Sequence, residues 1–273
     1  MLRDAELVLE AERNARSRWY FSGARALGTA YVLLGRPQEA IDPLLEVVSS
    51  RQPEVAPLRV MSLGYLVFAA RELGNRRDAH RWAAQAMMAV EEERLEGTVF
   101  SAIAHAADAL IQAERGDRVT AEHRIEEVRR LRPLIRAARW LDADLALHCA
   151  HASLDLGDRP GAIELAQIAE DALHGYADAG ALPARLGQLE ERIRLGRDYE
   201  LTAAELRLIP FLSTHLSLQE IADHLYLSRP TVKTHIASIY RKLHVDGRSE
   251  AVELIDQVGL GSTRGAVPDA QPH

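Results

Sequence analysis

Leu27-Gly28-Thr29-Ala30-Tyr31-Val32-Leu33-Leu34-Gly35-Arg36-Pro37-Gln38-Glu39-Ala40 is the stretch from which the fold is read. A helix closes at Gly35, whose missing Cβ permits the left-handed cap, and a second helix restarts at once and runs to about Val48. Leu73-Gly74-Asn75-Arg76-Arg77-Asp78-Ala79 repeats the arrangement. So do Arg115-Gly116-Asp117-Arg118 with Ala121, and Leu156-Gly157-Asp158-Arg159-Pro160 with Ala162. The glycine stands five residues before the alanine every time, and Ala40, Ala79, Ala121 and Ala162 are 39, 42 and 41 residues apart.

That unit is a helical hairpin. Glycine ends the first helix, a polar turn follows, and the small alanine lets the second helix approach the first closely. A hairpin buries its apolar face only by stacking on the next, so about four of them make one continuous core. Strand signals are nearly absent. The sequence predicts an all-α chain with a helical-hairpin repeat array over 1–175, a connecting helix or linker over 176–200, a separate domain over 201–260 and a disordered tail over 261–273. The Gly- and Ala-rich stretch from His174 to Pro183 is expected to loosen the array. Leu27, Gly28, Tyr31, Gly35, Ala40 and Leu44 resemble tetratricopeptide positions, although the spacing exceeds that family's 34 residues.

Composition narrows the function classes. The chain has 273 residues, a formal net charge of −7, 47% hydrophobic residues and one cysteine. One thiol builds no disulfide framework, and the acidic start Met1-Leu2-Arg3-Asp4-Ala5-Glu6 lacks a signal peptide's apolar core. A soluble, cytoplasmic protein with no membrane partner is the expectation. Overall acidity argues against a general nucleic-acid coat while leaving room for one local DNA-binding patch. No phosphate loop, nucleophile–base pair or paired carboxylates at a credible site can be found, so neither an enzyme nor a cofactor is expected.

Residues 201–260 read differently. Thr202-Ala203-Ala204-Glu205 and Ser217-Leu218-Gln219-Glu220 are capping boxes, and Ser228-Arg229-Pro230-Thr231 is a third helix start with proline in the first turn. A two-turn helix over about 218–225, a tight turn at Tyr226-Leu227 and a longer helix over 229–242 together predict a helix-turn-helix. Phased at 100° per residue, Val232, Ile236, Ile239 and Leu243 face the core. Pro230, Lys233, Thr234, Ala237, Ser238 and Arg241 face the other way. That surface is slim, polar and cationic, which suits a major groove. Thr231, His235 and Lys242 flank it where phosphates would run, with Ser228 and Arg229 at the helix start. The chain has 31 arginines and two lysines, and both lysines, Lys233 and Lys242, lie on this helix.

Leu201-Thr202-x-x-Glu205, Glu220-Ile221-Ala222-x-x-Leu225, Leu227-Ser228-x-x-Thr231-Val232-Lys233-x-His235, Ile239-x-x-Lys242-Leu243-x-Val245 and Arg248-x-x-Ala251 resemble the LuxR-type helix-turn-helix domain over about 60 residues. The resemblance implies a four-helix DNA-binding domain acting as a homodimer on double-stranded DNA. It further implies base reading by Lys233, Thr234 and Ala237, phosphate contacts around Thr231 and His235, and subunit pairing by a fourth helix over about 249–258. Ala204 replaces the family's usual arginine, Pro210 is expected to interrupt the first helix, and Thr214-His215 stands in place of a common glycine. With repeats ahead of it, the chain is similar to the C-terminal half of the maltose-activator type of ATP-dependent regulators, without their NTPase domain. A receiver domain is excluded because no lysine precedes Lys233.

The repeat groove is expected to take a protein partner or small effector, with Arg25, Thr29, Phe68, Arg71, Asp144 and His151 facing it. Asp144, His148, His151 and Asp155 step by four, three and four along one helix. The spacing would permit a metal, but polar groove lining is the ordinary reading and no metal is assigned. Trp19, Trp82 and Trp140 are read as packing between helices. The alternative to a DNA-reading regulator is a repeat-based interaction scaffold or anti-activator whose helix-turn-helix mainly dimerises.

Overall fold

The computed structural model describes Leu7, Leu9 and residues 18–176 and 178–257, and contains thirteen α-helices and no strand among them. The expected tail over 261–273 lies outside the described residues. Four hairpins come first: α1 (Arg18–Leu33) with α2 (Pro37–Ser49), α3 (Ala56–Glu72) with α4 (Arg76–Glu92), α5 (Val99–Arg115) with α6 (Arg118–Ile135), and α7 (Arg139–Asp155) with α8 (Arg159–Leu173). A longer helix, α9 (Leu182–Asp198), leads to α10 (Ala203–Leu212), α11 (Leu218–Leu225), α12 (Arg229–Leu243) and α13 (Arg248–Gln257). None of the described helices is long and apolar enough to cross a membrane.

The turns form as their residues dictate. Gly35, Gly74, Gly116 and Gly157 all adopt positive φ, between 71° and 81°. The next residue then donates its N–H back five residues, Asn75 to Ala70, Asp117 to Gln112 and Asp158 to Ser153, at 2.8 to 2.9 Å. These same side chains cap the following helix, accepting from Asp78, Thr120 and Gly161 at 3.2, 3.1 and 3.0 Å. One glycine and one Asn or Asp thus close one helix and open another. Ala40, Ala79, Ala121 and Ala162 are fully buried where the paired helices meet.

The two helices of a hairpin have different surroundings. In α5 and α7, 13 of 17 residues are buried, whereas α4 buries six of 17 and α6 five of 18. The first helix of each hairpin therefore forms an inner row and the second an outer row with one wet face. Inner helices approach closely: a Cβ on Gly64 of α3 would sit 2.5 Å from Ile103 Cγ2 of α5. At the last two turns an arginine also ties the hairpin to the unit that follows it. Arg118 donates to the carbonyl of Leu156, and Arg159 donates to that of Gly196 at 2.8 Å, so orphan carbonyls at helix ends gain charged donors.

Two expectations need correction here. The connecting segment over 176–200 is a helix, one of the two forms expected, but it does not loosen the array. Ala179 and Leu182 are buried, Ala181 donates to the carbonyl of Leu33 at 2.7 Å, and Leu182, Leu186 and Leu189 put α9 into the core as a fifth inner helix. Arg185 reaches the Val32 carbonyl at 2.6 Å, so the fifth inner helix returns to the first. Pro210 does not break α10 either, because it falls in the last turn, where the helix ends two residues later. Of the tryptophans, Trp82 is buried and Trp140 partly buried, while Trp19 is 58% exposed.

The inner face accordingly is not open. The residues expected along the groove do gather, and α9 covers them. Tyr65 donates its hydroxyl to Asp144 at 3.2 Å, Arg185 pairs with Glu72 and stands 3.7 Å from Asp144, and Phe68 stacks on His148 at 3.6 Å. Further along, Arg192 meets Asp155 at 3.1 Å and the His151 ring at 3.0 Å. Asp144, His151 and Asp155 of the stripe are therefore engaged with arginines and His148 with Asp144 and Phe68, and no three His, Cys, Asp or Glu side chains among the described residues are grouped to hold a metal ion. Burial pushes His148 and His151 below the ordinary histidine range, Asp144 opposing this at His148 and Arg192 adding to it at His151.

Candidate nucleic-acid interface

The C-terminal helices are held in place by their own caps. Thr202 accepts from the Glu205 N–H at 3.3 Å and Glu205 accepts from the Thr202 N–H at 2.7 Å, and Ser217 with Glu220 repeats this for α11. Tyr226 takes the left-handed conformation with φ of 53°, and Leu227 donates to the Ala222 carbonyl at 2.9 Å, turning the chain sharply. Ser228 then caps α12, accepting from Thr231 at 3.2 Å. Val232, Ile236, Ile239 and Leu243 are buried, as their phase predicts, against a core that includes Ile221, Ala222, Leu225 and Ile209.

The opposite face of α12 is open. Arg229, Pro230, Lys233, Thr234, Ala237 and Arg241 are exposed, and Thr231, His235, Ser238 and Lys242 are partly so. Lys233 and Arg229 make no hydrogen bond or ion pair among the described residues, so their charge is available. Arg241 donates to the Ser238 hydroxyl at 3.2 Å. The Thr234 hydroxyl donates back to the Pro230 carbonyl at 3.0 Å, leaving its methyl group and lone pairs on the surface.

Lys242 departs from the flanking role. Its ammonium donates to Glu205 at 2.7 Å and to the Glu200 carbonyl at 3.0 Å, and its side chain is only 24% exposed. It fastens the last turn of α12 to the first turn of α10. Burial raises the Glu205 pKa, but Lys242, the Thr202 N–H and Ser238 outweigh this and hold it down at about 2. The capping box had accounted for Glu205, and nothing local in the sequence marks its second duty. Arg248 is another scaffold residue whose role was not read: it donates to the carbonyls of Leu212, Leu216, Phe211 and Thr214, setting the loop between α10 and α11.

The domain rests on the array through defined contacts. Arg207 of α10 donates to the Glu114 carbonyl at the end of α5 at 2.8 Å, and the Tyr226 ring meets His80 of α4 with centroids 5.7 Å apart. The Glu114 carboxylate, almost fully buried, accepts from Arg71 at 2.7 Å and lies 3.8 Å from His80. Burial opposes its charge, yet Arg71, His80 and Arg76 together hold the carboxyl well below the usual range.

Residues 200–255 match the family described as bacterial regulatory proteins, luxR family. The chain is also similar to the spore germination protein GerE of Bacillus subtilis (strain 168), with 37% identity over 59 residues, which are 22% of this chain and 80% of that protein. No solved structure matches. The likeness thus covers α10 to α13 and stops where the array begins.

Proposed function

The chain belongs to the luxR family of bacterial regulatory proteins, and from that premise we propose that it is a transcription regulator that reads double-stranded DNA with the open face of α12. The observation that carries this reading is the contrast across one helix. One side is wholly buried, and the other presents an unpaired Lys233 among the small residues Thr234 and Ala237. Small side chains let the backbone approach base edges, and an unpaired lysine can donate to guanine. Ser228, Arg229, Thr231 and His235 stand where phosphates fix register, with Ser238 and Arg241 along the edge. Lys242 keeps α12 in place instead of meeting a phosphate.

The active species under this reading is a homodimer paired through α13. The array takes a protein partner or effector that controls activity. Because α9 covers the inner face, a ligand of that face acts by displacing α9 rather than by filling an open groove. The array does not mask the reading face by burying it, so control lies in the placing of the domain.

The test is selection of fragmented genomic DNA by the full chain at about 150 mM salt, beside a Lys233→Ala/Thr234→Ala variant. A shared, partly symmetric motif that the variant loses is the expected result, with a loss for Lys233→Ala alone of about 1–3 kcal/mol on the selected site. Enrichment by neither protein, with or without the array present, would favour a scaffold whose helix-turn-helix serves to dimerise.

A further inference from the structure

We propose that the array carries a second DNA-backbone contact surface, formed by Arg77 and Arg81 of α4 and Arg115 of α5, beside the turn that leads into α12. This inference rests on the DNA-binding reading above. Residues 201–260 hold six Lys or Arg against seven Asp or Glu, and one of those cations, Lys242, is tied to Glu205. A domain with so little free positive charge gains little from phosphates on its own, and backbone contacts supply much of the affinity of DNA-binding proteins. Cations held next to it by the rest of the chain would raise that affinity.

The placement comes from two contacts and one helical register. The Tyr226 ring lies against His80, with centroids 5.7 Å apart. Arg115 donates to the His80 ring at 3.0 Å. Arg77 stands one helical turn before His80, and Arg81 follows Arg77 by four residues, so both lie on one side of α4. Arg229 follows Tyr226 by three residues, at most about 11 Å of chain. With the Tyr226 and His80 side chains, the ring contact and one turn of α4 added, the Cα atoms of Arg229 and Arg77 are at most about 30 Å apart, a span of about nine base-pair steps. A duplex held by α12 and running towards α4 would come within reach of the arginines within one helical turn.

The charge is also free to act. Arg77, Arg81 and Arg115 are all exposed. Arg77 has no ion-pair partner among the described residues, and the only hydrogen-bond partner of Arg115 there is the His80 ring. Arg81 pairs with Asp78 at 2.8 Å in an exposed i, i+3 contact that a phosphate can replace. Other turn arginines are already committed: Arg118 to Leu156 and Glu122, Arg159 to Gly196. The basic rim is thus local to the hairpin ends that border the DNA-reading domain.

The experiment compares the full-length chain with Arg77→Ala, Arg115→Ala and the double variant across a salt series. Two duplexes serve as probes: the one recovered most often in the genomic selection and a scrambled duplex of equal length. Removing one arginine from a phosphate should lower the slope of log K against log salt by about 0.9, which at 150 mM is about 5-fold in affinity, or about 30-fold for two. The weakening should be equal on both duplexes, since phosphate contacts carry no sequence information. Asp78→Asn should act oppositely, strengthening binding by up to about 5-fold as Arg81 is released. Arg51→Ala, at the other end of the hairpins, should change nothing. An unchanged slope in the double variant, with the wild type binding normally, overturns the inference and leaves the DNA-binding reading intact. A weakening confined to the selected duplex overturns it as well. Failure of the wild-type chain to bind either duplex at any salt overturns both.

Discussion

Glu205→Gln tests whether α12 is held by charge. The carboxylate, 3% exposed, accepts from Lys242 at 2.7 Å and from the Thr202 N–H at 2.7 Å. Folding lowers its pKa from 4.5 to about 2. At 1.36 kcal/mol per unit this difference is worth about 3 kcal/mol. Because the folded state binds the proton less tightly, that stability is complete above about pH 4.5 and drains away as pH falls towards 2. Glutamine keeps the shape and can still accept from Thr202, but leaves Lys242 without its carboxylate. The lysine is 24% exposed and can turn to water, which trims the loss to about 2 kcal/mol.

Hydrogen exchange resolved by segment is the assay, since all three tryptophans lie in the array and report nothing on α10 to α13. At about 1.4 kcal/mol per decade, protection of α10 and α12 should fall by about 30-fold at pH 7, with α5 and α7 unchanged. In wild type, protection of α10 and α12 should also decline between pH 4.5 and 2, and the variant should lack that decline. Adding Lys242→Met should recover part of the loss, because the pair is then removed together and no charge is stranded. Protection of α12 within twofold of wild type, or a double variant that costs the sum of the singles, would refute the reasoning.

Gly64→Ala should destabilise the whole array by about 1–3 kcal/mol in urea unfolding, because its Cβ would meet Ile103 Cγ2 at 2.5 Å and the Ile103 carbonyl oxygen at 3.2 Å. The buried Cys149 thiol, its pKa pushed up to about 12 by burial, should stay unreactive towards a thiol reagent at pH 8 until the chain unfolds. His105, 5% exposed, has its pKa lowered to about 4 by burial and by Arg124, so its contribution is complete above pH 6.5 and is lost as pH falls towards 4. His105→Gln should reduce the drop in melting temperature across that window, and an unchanged drop would remove His105 from the account.

What the sequence made legible is what local chemistry controls. Glycine, then Asn or Asp, then a small alanine five residues on is a complete instruction for ending one helix and starting the next, and Gly74-Asn75 through Ala79 follows it. The caps at Thr202, Ser217 and Ser228 and the phase of α12 are equally short-range. What stayed hidden depends on partners far along the chain. Gly180 and Pro183 read as breakers, yet Gly180 supplies a positive φ and Pro183 opens α9 in its first turn. The acceptors that hold α9, Glu72, Asp144 and Asp155, lie between 37 and 113 residues upstream of Arg185 or Arg192. Lys242 looked like a phosphate contact because helical phase gives a direction and not a partner.

The closure of the inner face by α9 has a consequence for control under the proposed function. Only four residues separate the end of α9 at Asp198 from the start of α10 at Ala203. Arg159 holds both sides of that joint, donating to Gly196 at 2.8 Å and to Leu201 at 3.4 Å. Under that proposal, a ligand that lifts Arg185 from Glu72 and Arg192 from Asp155 would pull on the first turn of α10, where Glu205 holds Lys242 and so α12. The route runs along α9 between named contacts at its two ends, and each of those contacts can be cut singly. Such coupling is reciprocal: a ligand that weakens DNA binding tenfold must itself bind tenfold less tightly to the DNA-bound protein. Arg159→Ala should reduce the coupling measured in either direction while leaving intact the open face of α12, because the joint would then flex without moving α12.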